Sequence, residues 1–230
     1  MEIKIIATGS TGNSYILTEP KTGKFLVLDC GVRFETITHD KAFTGFKNCD
    51  AVIVTHSHGD HSLSLGKFEK SGVEALTYKT LSKAIGSTRI GDWKIVSFPV
   101  RHNVDNWGFI IENNNEPNEK YCYVTDFYGM PRIEGITRWL IEVNYVEEII
   151  EQMIDEDKLD LNRTGFKYHN SLENTIDYFA NQIQTKPKTI IACHISKNNG
   201  IKEIIQKELT PFAKEVIIAE GGLEWKKEAD

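Results

Sequence analysis

The chain has 230 residues, of which 40% are hydrophobic and 26% are charged. These are the proportions of an ordinary globular protein, and this length is sufficient to bury a sizeable core. The net charge of −6 argues against a broad basic surface that grips long nucleic acid through its phosphates. The sequence has no apolar run long enough to cross a membrane and begins with no export signal, so we expect no membrane partner and a cytoplasmic location.

The four cysteines do not have the spacing of a zinc knuckle. Each lies in or beside an apolar stretch, where a free thiol behaves as a small hydrophobic group. We therefore expect reduced, structural thiols at Cys30, Cys49, Cys122 and Cys193.

Short apolar runs separated by glycine-rich turns predict strands in the first part of the chain. These strands cover residues 3–7, 15–18, 25–29 and 51–54. The last of them is apolar throughout, which is typical of a strand buried on both faces. Helices are predicted over residues 33–43 and 62–70.

The middle of the chain is rich in strands, whereas the later part alternates strands with helices. Strands are predicted over residues 93–100, 107–112, 121–125, 138–143, 189–193 and 216–219, and helices over residues 146–155, 172–184 and 200–209. No linker or internal repeat divides the chain, so we expect one domain over residues 1–230. The order of elements favours an α/β fold, with two sheets packed together and helices outside.

The residues that can carry chemistry cluster directly after the buried strand at residues 51–54. The segment reads Thr55-His56-Ser57-His58-Gly59-Asp60-His61. Imidazole together with carboxylate suits zinc, manganese or iron. The chain has only 7 histidines in total, so this density argues against a merely solvated polar loop. The spacing predicts that His56 and His58 face one metal and that Asp60 and His61 face a second.

The pattern His-x-His-x-Asp-His after an apolar strand resembles the signature of the metallo-β-lactamase superfamily. That family completes its site with a further His, an Asp and a final His at strand ends, and this chain offers His102, Asp126 and His194 in that order. The resemblance implies an αββα sandwich, in which two mixed sheets pack face to face with helices outside. It also implies two divalent metal ions, zinc or manganese, with iron as a further candidate.

The resemblance also assigns a role to each ligand. One metal would be held by His56, His58 and His102, the other by Asp60, His61 and His194, and Asp126 would bridge the two. Two ions that lie roughly 3.5–4 Å apart can share a water and lower its pKa, which presents hydroxide to an electrophile. Asp60 would act as a catalytic residue by orienting that hydroxide as well as binding metal.

Further segments resemble one branch of the superfamily, the YycJ-like (WalJ-like) nucleases and their phosphodiesterase relatives. The segments are Gly9-Ser10-Thr11-Gly12-Asn13-Ser14, Phe98-Pro99-Val100-Arg101-His102 and Leu140-Ile141-Glu142-Val143-Asn144-Tyr145. The last segment departs from the branch, because Tyr145 stands where a histidine is usual. Two His-x-Ser segments, at His169 and His194, also match the branch, although Asn170 replaces the first leucine.

These segments provide the candidate substrate contacts. His169 is a candidate catalytic residue that could hold a phosphate oxygen or protonate a leaving alkoxide. Ser171, Ser196 and Asn199 are candidates for substrate binding. The segment around His169 has an alternative interpretation as a helix N-terminus, with Asn170 or Ser171 as the cap.

We expect a metal-dependent phosphodiester hydrolase, and specifically a nuclease that attacks nucleic acid from an end, as an exonuclease does. Resemblance over nearly the whole chain favours this function. The acidic charge favours an alternative, hydrolysis of a small cyclic phosphodiester, as in phosphoribosyl cyclic phosphodiesterases. A ligand-binding or scaffold protein that has lost catalysis is an alternative of another class. The presence of every expected metal ligand argues against that class.

Overall fold

The computed structural model describes residues 1–81, 85–155 and 165–227, which contain two mixed β-sheets. The strands are β1 (Glu2–Ala7), β2 (Ser14–Thr18), β3 (Phe25–Leu28), β4 (Cys49–Val54), β5 (Glu74–Thr77), β6 (Gly86–Ile90), β7 (Trp93–Val100), β8 (Asn106–Asn113), β9 (Lys120–Val124), β10 (Arg138–Glu142), β11 (Thr189–Cys193), β12 (Glu215–Ile218) and β13 (Glu224–Lys226). One sheet has six strands in the order β13-β1-β2-β3-β4-β5, and the other has seven in the order β12-β11-β10-β9-β8-β7-β6.

Short helices connect and cover these strands. They are α1 (Phe34–Thr38), α2 (Gly59–Ser62), α3 (Leu65–Lys70), α4 (Glu147–Asp155), α5 (Leu172–Asp177) and α6 (Lys202–Leu209). The chain continues from α5 into a π-helical turn over Tyr178–Gln182. No helix among the described residues is both long enough and apolar enough to span a membrane.

Apolar side chains fill three layers of the fold. Between the sheets, Tyr15 and Ile53 of the first sheet belong to the same buried cluster as Trp93 of the second. Phe68 of α3 packs on the outer face of the first sheet, and Leu172 of α5 packs on the outer face of the second. This arrangement is the predicted αββα sandwich, because each sheet buries one face against the other sheet and the opposite face beneath helices.

The strand directions bring several loops to one edge of each sheet. In the first sheet, β3 and β4 are parallel. In the second, β9, β10 and β11 are parallel to one another. Strand β7 runs in the same direction as β9, because both are antiparallel to β8. The segments that follow the carboxyl ends of these strands therefore share an edge, which is where open α/β sheets usually place their sites.

The strongly apolar strands agree with the sequence-based prediction, whereas β5, β6 and β13 were not predicted. All three lie at or next to a sheet edge. Strand β6 reads Gly-Ser-Thr-Arg-Ile and β13 has three residues. Neither has the apolar periodicity from which a strand can be recognised. Edge strands are commonly short and polar because such sequences discourage pairing with other chains.

Two predicted helices are shorter or more interrupted than expected. The helix predicted over residues 33–43 ends at Thr38, within a β-branched run that disfavours helix. The Asp40 side chain then accepts a hydrogen bond from the Ala42 amide at 2.9 Å and forms a turn. The helix predicted over residues 62–70 is divided between α2 and α3, where Ser64 donates its hydroxyl to the Val32 carbonyl. The helix predicted over residues 172–184 ends as the π-helical turn.

All four cysteine side chains are buried, as expected from the sequence. Burial raises the pKa of each thiol, and that of Cys49 rises to about 12. At neutral pH these thiols are therefore protonated and pack as small apolar groups.

The packing on the outer face of the second sheet depends on the absence of a side chain at Gly108. In the β7–β8 pair this glycine lies opposite Phe98, and an added Cβ would be 2.2 Å from the Phe98 ring. We predict that Gly108→Ala lowers the free energy of unfolding by about 1–3 kcal/mol, the usual range for overpacking. The measurement is urea denaturation at fixed metal content.

Gly66→Ala is the matched control for this substitution. Gly66 lies within α3, and nothing approaches within 4 Å of the position of its added Cβ. Alanine is the better helix former by up to ~1 kcal/mol, so this variant should be unchanged or slightly more stable. Equal unfolding free energies for the two variants would contradict the packing described for Gly108.

Candidate metal centre

Three histidines converge at the carboxyl ends of β4 and β7. His56 follows β4 and is fully buried, with its Nδ1 3.0 Å from the Thr55 hydroxyl and its Nε2 3.0 Å from Nδ1 of His58. His102 follows β7, and its Nδ1 lies 3.0 Å from the Tyr168 carbonyl, to which it can donate. This contact directs Nε2 of His102 inward, where it lies 3.4 Å from Nδ1 of His58. One nitrogen of each ring thus faces a common point.

A second group of ligand atoms lies beside the first. His61 Nε2 is 3.4 Å from Oδ2 of Asp60 and 3.4 Å from Oδ1 of Asp126. His194 Nδ1 is in contact with the same oxygen of Asp126. The side chains of Asp60, His61, Asp126 and His194 offer ligand atoms that all lie within 4.8 Å of one another. His56, His58, His102 and Asp126 meet the same criterion.

Asp126 belongs to both groups. Its Oδ2 lies 3.7 Å from Nε2 of His56, whereas its Oδ1 faces His61 and His194. Burial alone would raise the pKa of this carboxyl, but His194 and His61 hold it well below its usual range. The carboxyl is therefore ionised and able to offer one oxygen to each group, which is the geometry that a bridging ligand needs.

Two imidazoles beside Asp126, those of His56 and His61, have pKa values shifted in opposite directions. Burial and the neighbouring imidazole of His61 hold the pKa of His56 well below its ordinary value, so this ring is neutral and able to accept a cation. Burial would also lower the pKa of His61, but the carboxylates of Asp126 and Asp29 raise it well above its ordinary value. The carboxylates around His61 therefore favour a positive charge on or beside this ring.

Asp29 supports the second group although it was not among the predicted site residues. It follows β3, is fully buried, and places Oδ2 2.6 Å from Nδ1 of His61. The same carboxylate accepts hydrogen bonds from the Thr55 amide at 2.8 Å and from the Tyr123 hydroxyl at 2.6 Å. A carboxylate behind the ring fixes the tautomer and orientation of a ligating histidine. The available signal was an acidic residue at the carboxyl end of a strand next to β4.

Three residues of the centre have left-handed backbone conformations. Asp29, Asp126 and His194 have φ values of 53°, 54° and 51°, and they are the non-glycine residues with positive φ in the described parts of the chain. Such conformations cost free energy for residues with a Cβ and are typical of functional sites, where surrounding contacts impose them. At His194 those contacts include the Thr8 hydroxyl, which accepts from the His194 amide at 2.9 Å.

The loop that carries Asp60 is held by close backbone contacts. The Asn13 amide donates to the Asp60 carbonyl at 2.7 Å, and the Cys30 amide donates to the His61 carbonyl at 2.8 Å. Gly31 is packed so closely that an added Cβ would lie 1.6 Å from the Asp60 carbonyl oxygen. Asn13 belongs to one of the segments that resemble the YycJ-like branch. That segment therefore positions the loop that carries Asp60.

A further pair lies at the rim of the centre. His169 Nδ1 is 2.7 Å from Oε1 of Glu142, a fully buried carboxylate at the end of β10. Burial would lower the pKa of His169, but Glu142 raises it to about 9. Ligand atoms of Asp126, Glu142, His169 and His194 also lie within 4.8 Å of one another. Glu142 stood within a quoted sequence segment, yet its role was not predicted.

Two of the predicted substrate contacts, Ser171 and Ser196, differ in burial and in hydrogen bonding. Ser171 is fully buried, caps α5 by accepting from the Asn174 amide at 3.0 Å, and donates to Glu147 at 2.7 Å. These contacts account for its hydroxyl without a substrate, as the helix-cap interpretation proposed. Ser196 is partly exposed and its hydroxyl accepts from the Asn199 amide at 3.3 Å. It also lines a cavity of about 650 Å³ that adjoins Thr8.

The donor set fits divalent metal ions. Each group combines imidazole nitrogen with carboxylate oxygen, as zinc, manganese and iron sites do. The ligand atoms lie close enough to surround one ion per group, and the buried Asp126 carboxylate is common to both groups. All seven candidate ligands thus meet at one place in the fold. The protein therefore has His/Asp clusters that can bind metal.

Comparison with known families agrees with the geometry. The sequence model of the metallo-β-lactamase superfamily matches residues 7–141, which is more than half of the chain. The chain belongs to the metallo-β-lactamase superfamily. Members of this superfamily are metal-dependent hydrolases, and the match includes His56, His58, Asp60, His61, His102 and Asp126 within its bounds.

Relatives of known name support the branch that the sequence predicted. The chain is 28% identical to the exodeoxyribonuclease WalJ of Streptococcus pneumoniae over 228 residues, which cover 87% of this chain and 83% of that protein. It is 22% identical to the exodeoxyribonuclease YycJ of Bacillus anthracis in an alignment 247 positions long, which covers 94% of this chain and 90% of that protein. The resemblance to the YycJ-like branch is thereby confirmed.

Solved structures confirm the fold. The metallo-β-lactamase fold protein YhfI of Bacillus subtilis matches with a TM-score of 0.71 and 15% identity, covering 97% of this chain and 98% of that one. Human tRNase Z, short form, matches with a TM-score of 0.61 and 14% identity, covering 98% and 99%. At these identities the matches establish the shared sandwich and nothing about substrate.

Removal of His58 should separate metal binding from folding. His58 is only partly buried and contacts His56 and His102 rather than the apolar core. We predict that His58→Ala lowers the metal content from about two ions per chain while the circular dichroism spectrum is retained. Elemental analysis of purified protein after incubation with zinc or manganese measures the occupancy.

His39→Ala is the control, because His39 is exposed at the end of α1 and belongs to neither ligand group. This variant should keep the metal content of the original protein. A folded protein that takes up no metal under these conditions would contradict the two-metal assignment. Full occupancy of His58→Ala would remove His58 from the ligand set.

Proposed function

We propose that this chain is a nuclease of the exonuclease type, which hydrolyses phosphodiester bonds at two divalent metal ions. The observation that carries the proposal is the pair of ligand groups that share Asp126, with the Glu142–His169 pair at their rim. Relatives named as exodeoxyribonucleases over most of the chain support a nucleic acid as the substrate. Zinc and manganese are the proposed metals, and the donor set also accommodates iron.

The proposed ligand set divides the centre into two halves. His56, His58 and His102 would hold one ion, and Asp60, His61 and His194 the other, with Asp126 between them. When bound, two such ions would lower the pKa of a water molecule and offset the negative charge that develops on the phosphate. The protein's contribution is to hold the ligands at the strand ends and to place acid and base groups around them.

Asp60 is suited to orient the nucleophilic water. Its side chain is 25% exposed, whereas that of Asp126 is 3% exposed, so Asp60 is the more accessible of the two carboxylates. Burial tends to raise the pKa of Asp60, but the hydrogen bond with His61 lowers it below its ordinary value. An ionised carboxylate at this position can accept a proton from a water and hold it in line with the phosphorus atom.

His169 is suited to protonate the leaving alkoxide. With Nδ1 committed to Glu142, Nε2 is the ring nitrogen that remains for a substrate oxygen. The side chain is 20% exposed and the raised pKa of about 9 keeps the ring protonated at neutral pH. Glu142 is a positioning residue in this scheme, because it sets the ring orientation and stabilises its charge. Ser196 and Asn199, two and five positions after His194 in the chain, are proposed as secondary substrate contacts.

A small cyclic phosphodiester remains the second candidate substrate, because the net charge of −6 disfavours a polyanion. The deciding experiment compares end-labelled DNA, end-labelled RNA, cyclic phosphodiesters and bis-p-nitrophenyl phosphate with the same metal-loaded protein. The exonuclease proposal requires a ladder of products shortened from one end of a nucleic acid. Turnover of cyclic substrates alone would favour the second candidate.

The role of Asp60 leads to a prediction about turnover. Asp60→Asn retains an oxygen ligand but removes the base, so turnover should fall by ~10² or more while much of the metal stays bound. Asp92→Asn, at the opposite end of β7, makes the same chemical change away from the centre and should have no effect. Steady-state rates on DNA and elemental analysis measure both properties. Near-normal turnover by Asp60→Asn would exclude Asp60 from the mechanism.

The role of His169 leads to a prediction about leaving groups. His169→Ala should leave metal content unchanged and reduce hydrolysis of nucleic acid. The loss on bis-p-nitrophenyl phosphate should be smaller, because nitrophenolate departs without needing a proton. His39→Ala provides the control for loss of an exposed imidazole.

The other outcomes assign His169 differently. Equal losses on both substrates would indicate phosphate binding without acid catalysis. Loss of metal would make His169 a ligand, together with Glu142 and His194. Unchanged rates on every substrate would mean that His169 only precedes the cap of α5.

A further inference from the structure

Two tyrosine rings adjoin the metal centre on the side of His102. Tyr128 follows Asp126 by two residues and is 44% exposed. Its ring lies 6.2 Å from the ring of Tyr168, at an interplanar angle of 59°. The Tyr168 ring in turn lies 6.4 Å from the His102 ring, and the Tyr168 carbonyl is the group that faces Nδ1 of His102. We call Tyr128 and Tyr168 the aromatic platform.

Backbone contacts hold Tyr128 of the platform against the site. The Tyr128 amide donates to the Arg101 carbonyl at 2.9 Å, and Arg101 forms an isolated β-bridge with Gly129. The segment after β9 is thereby tied to the segment that carries His102. A base seated on Tyr128 would consequently have a defined position relative to the proposed ligands.

Two cationic side chains border the platform. Arg101 is exposed and passes beside Gly129, where an added Cβ would be 3.2 Å from Cδ of the arginine. Lys167 is also exposed, and its Nζ lies 5.3 Å from the centre of the Tyr168 ring. Aromatic faces beside Arg and Lys form the combination by which proteins bind single-stranded nucleic acid, since bases stack on the rings and phosphates pair with the cations.

The space beside Tyr128 is large enough for part of a nucleotide. A cavity of about 460 Å³ is lined by Tyr128, Arg101 and His102, and also by Asp105, and this volume lies within the usual range of ligand pockets, ~300–1,000 Å³. One wall is thus a proposed metal ligand, one a cation and one an exposed aromatic ring. A single exposed tyrosine is common and needs no functional explanation. Tyr128, however, shares its cavity with a proposed metal ligand and a cation, and this combination favours a role in binding.

We propose that the aromatic platform is a base-stacking subsite for the nucleotide that adjoins the scissile phosphate, and that Arg101 and Lys167 pair with its neighbouring phosphate. The occupant is the end of a single strand, because the face of a base is free to stack on a side chain when the base is not within a duplex. This proposal rests on the nuclease function proposed above and names the form of substrate for that site.

The test compares an intact oligonucleotide with one that lacks a base at its terminal nucleotide. Tyr128→Leu removes the ring face and keeps an apolar side chain, so we expect a loss on the order of tenfold in kcat/KM on the intact single strand. On the abasic strand the original protein should be slower and the substitution should cause little further loss. Tyr128→Phe should behave as the original protein, because the ring remains. Tyr168→Leu should reproduce the effect of Tyr128→Leu.

Phe46→Leu is the matched control. Phe46 is 42% exposed, nearly the same as Tyr128, but it precedes β4 and lies at the amino end of the strand whose carboxyl end carries His56. This variant should show unchanged rates on both oligonucleotides. Affinity for the two oligonucleotides is measured in parallel by fluorescence anisotropy, with metal-loaded Asp60→Asn as the background and the label on the distant end.

The outcomes distinguish the subsite from the nuclease function. Cleavage of the single strand with equal losses on intact and abasic oligonucleotides would overturn the subsite and leave the nuclease function standing. Base-dependent binding that Tyr128→Leu abolishes, without cleavage of any nucleic acid, would support the subsite and overturn the nuclease function. Neither cleavage nor base-dependent binding would overturn both.

Discussion

The buried carboxylate of Asp126 is the group on which the arrangement of the site depends. It is 2% exposed, and its two oxygens face different sets of histidines. A buried anion is costly unless positive charge lies beside it. The imidazoles can supply that charge only by protonation, which Asp126 and Asp29 favour at His61 but which burial disfavours at His56. A cation on each side of Asp126 would stabilise the carboxylate while leaving the imidazoles neutral, so the charge balance of the interior itself favours metal.

The backbone conformation that presents these ligands is maintained by the surrounding fold. Asp29, Asp126 and His194 each follow a strand and turn at once into the left-handed region, at a cost of order 1–3 kcal/mol per residue. Hydrogen bonds from neighbouring strands offset that cost, as at Asp29, which binds the Thr55 amide and the Tyr123 hydroxyl. The turn directs each side chain across the strand ends, and the packing of two sheets brings the two sets of ligands together.

The sequence predicts the metal ligands better than it predicts the carboxylates that hold the histidines in place. Ligands in a strand-end loop recur at short spacing, so the segment from His56 to His61 is recognisable without coordinates. Asp29 and Glu142 are single acidic residues after apolar strands, and their partners lie 32 and 27 positions away in the chain. Only the three-dimensional fold reveals those partners, because it places β3 beside β4 and the segment before α5 beside the end of β10. The same contrast applies to the fold, where apolar β4 was predictable but polar β6 was not.

An acidic protein can act on a polyanion if its favourable charges lie where the phosphate binds. Arg101 and Lys167 are exposed and flank the aromatic platform, whereas Lys202 is paired with Glu220 at 2.6 Å. Affinity for long duplexes comes largely from many phosphate contacts, which a net charge of −6 disfavours. Stacking and metal contacts act on one or two nucleotides instead. The charge of the protein therefore agrees better with the proposed engagement of a strand end than with a grip along the length of a duplex.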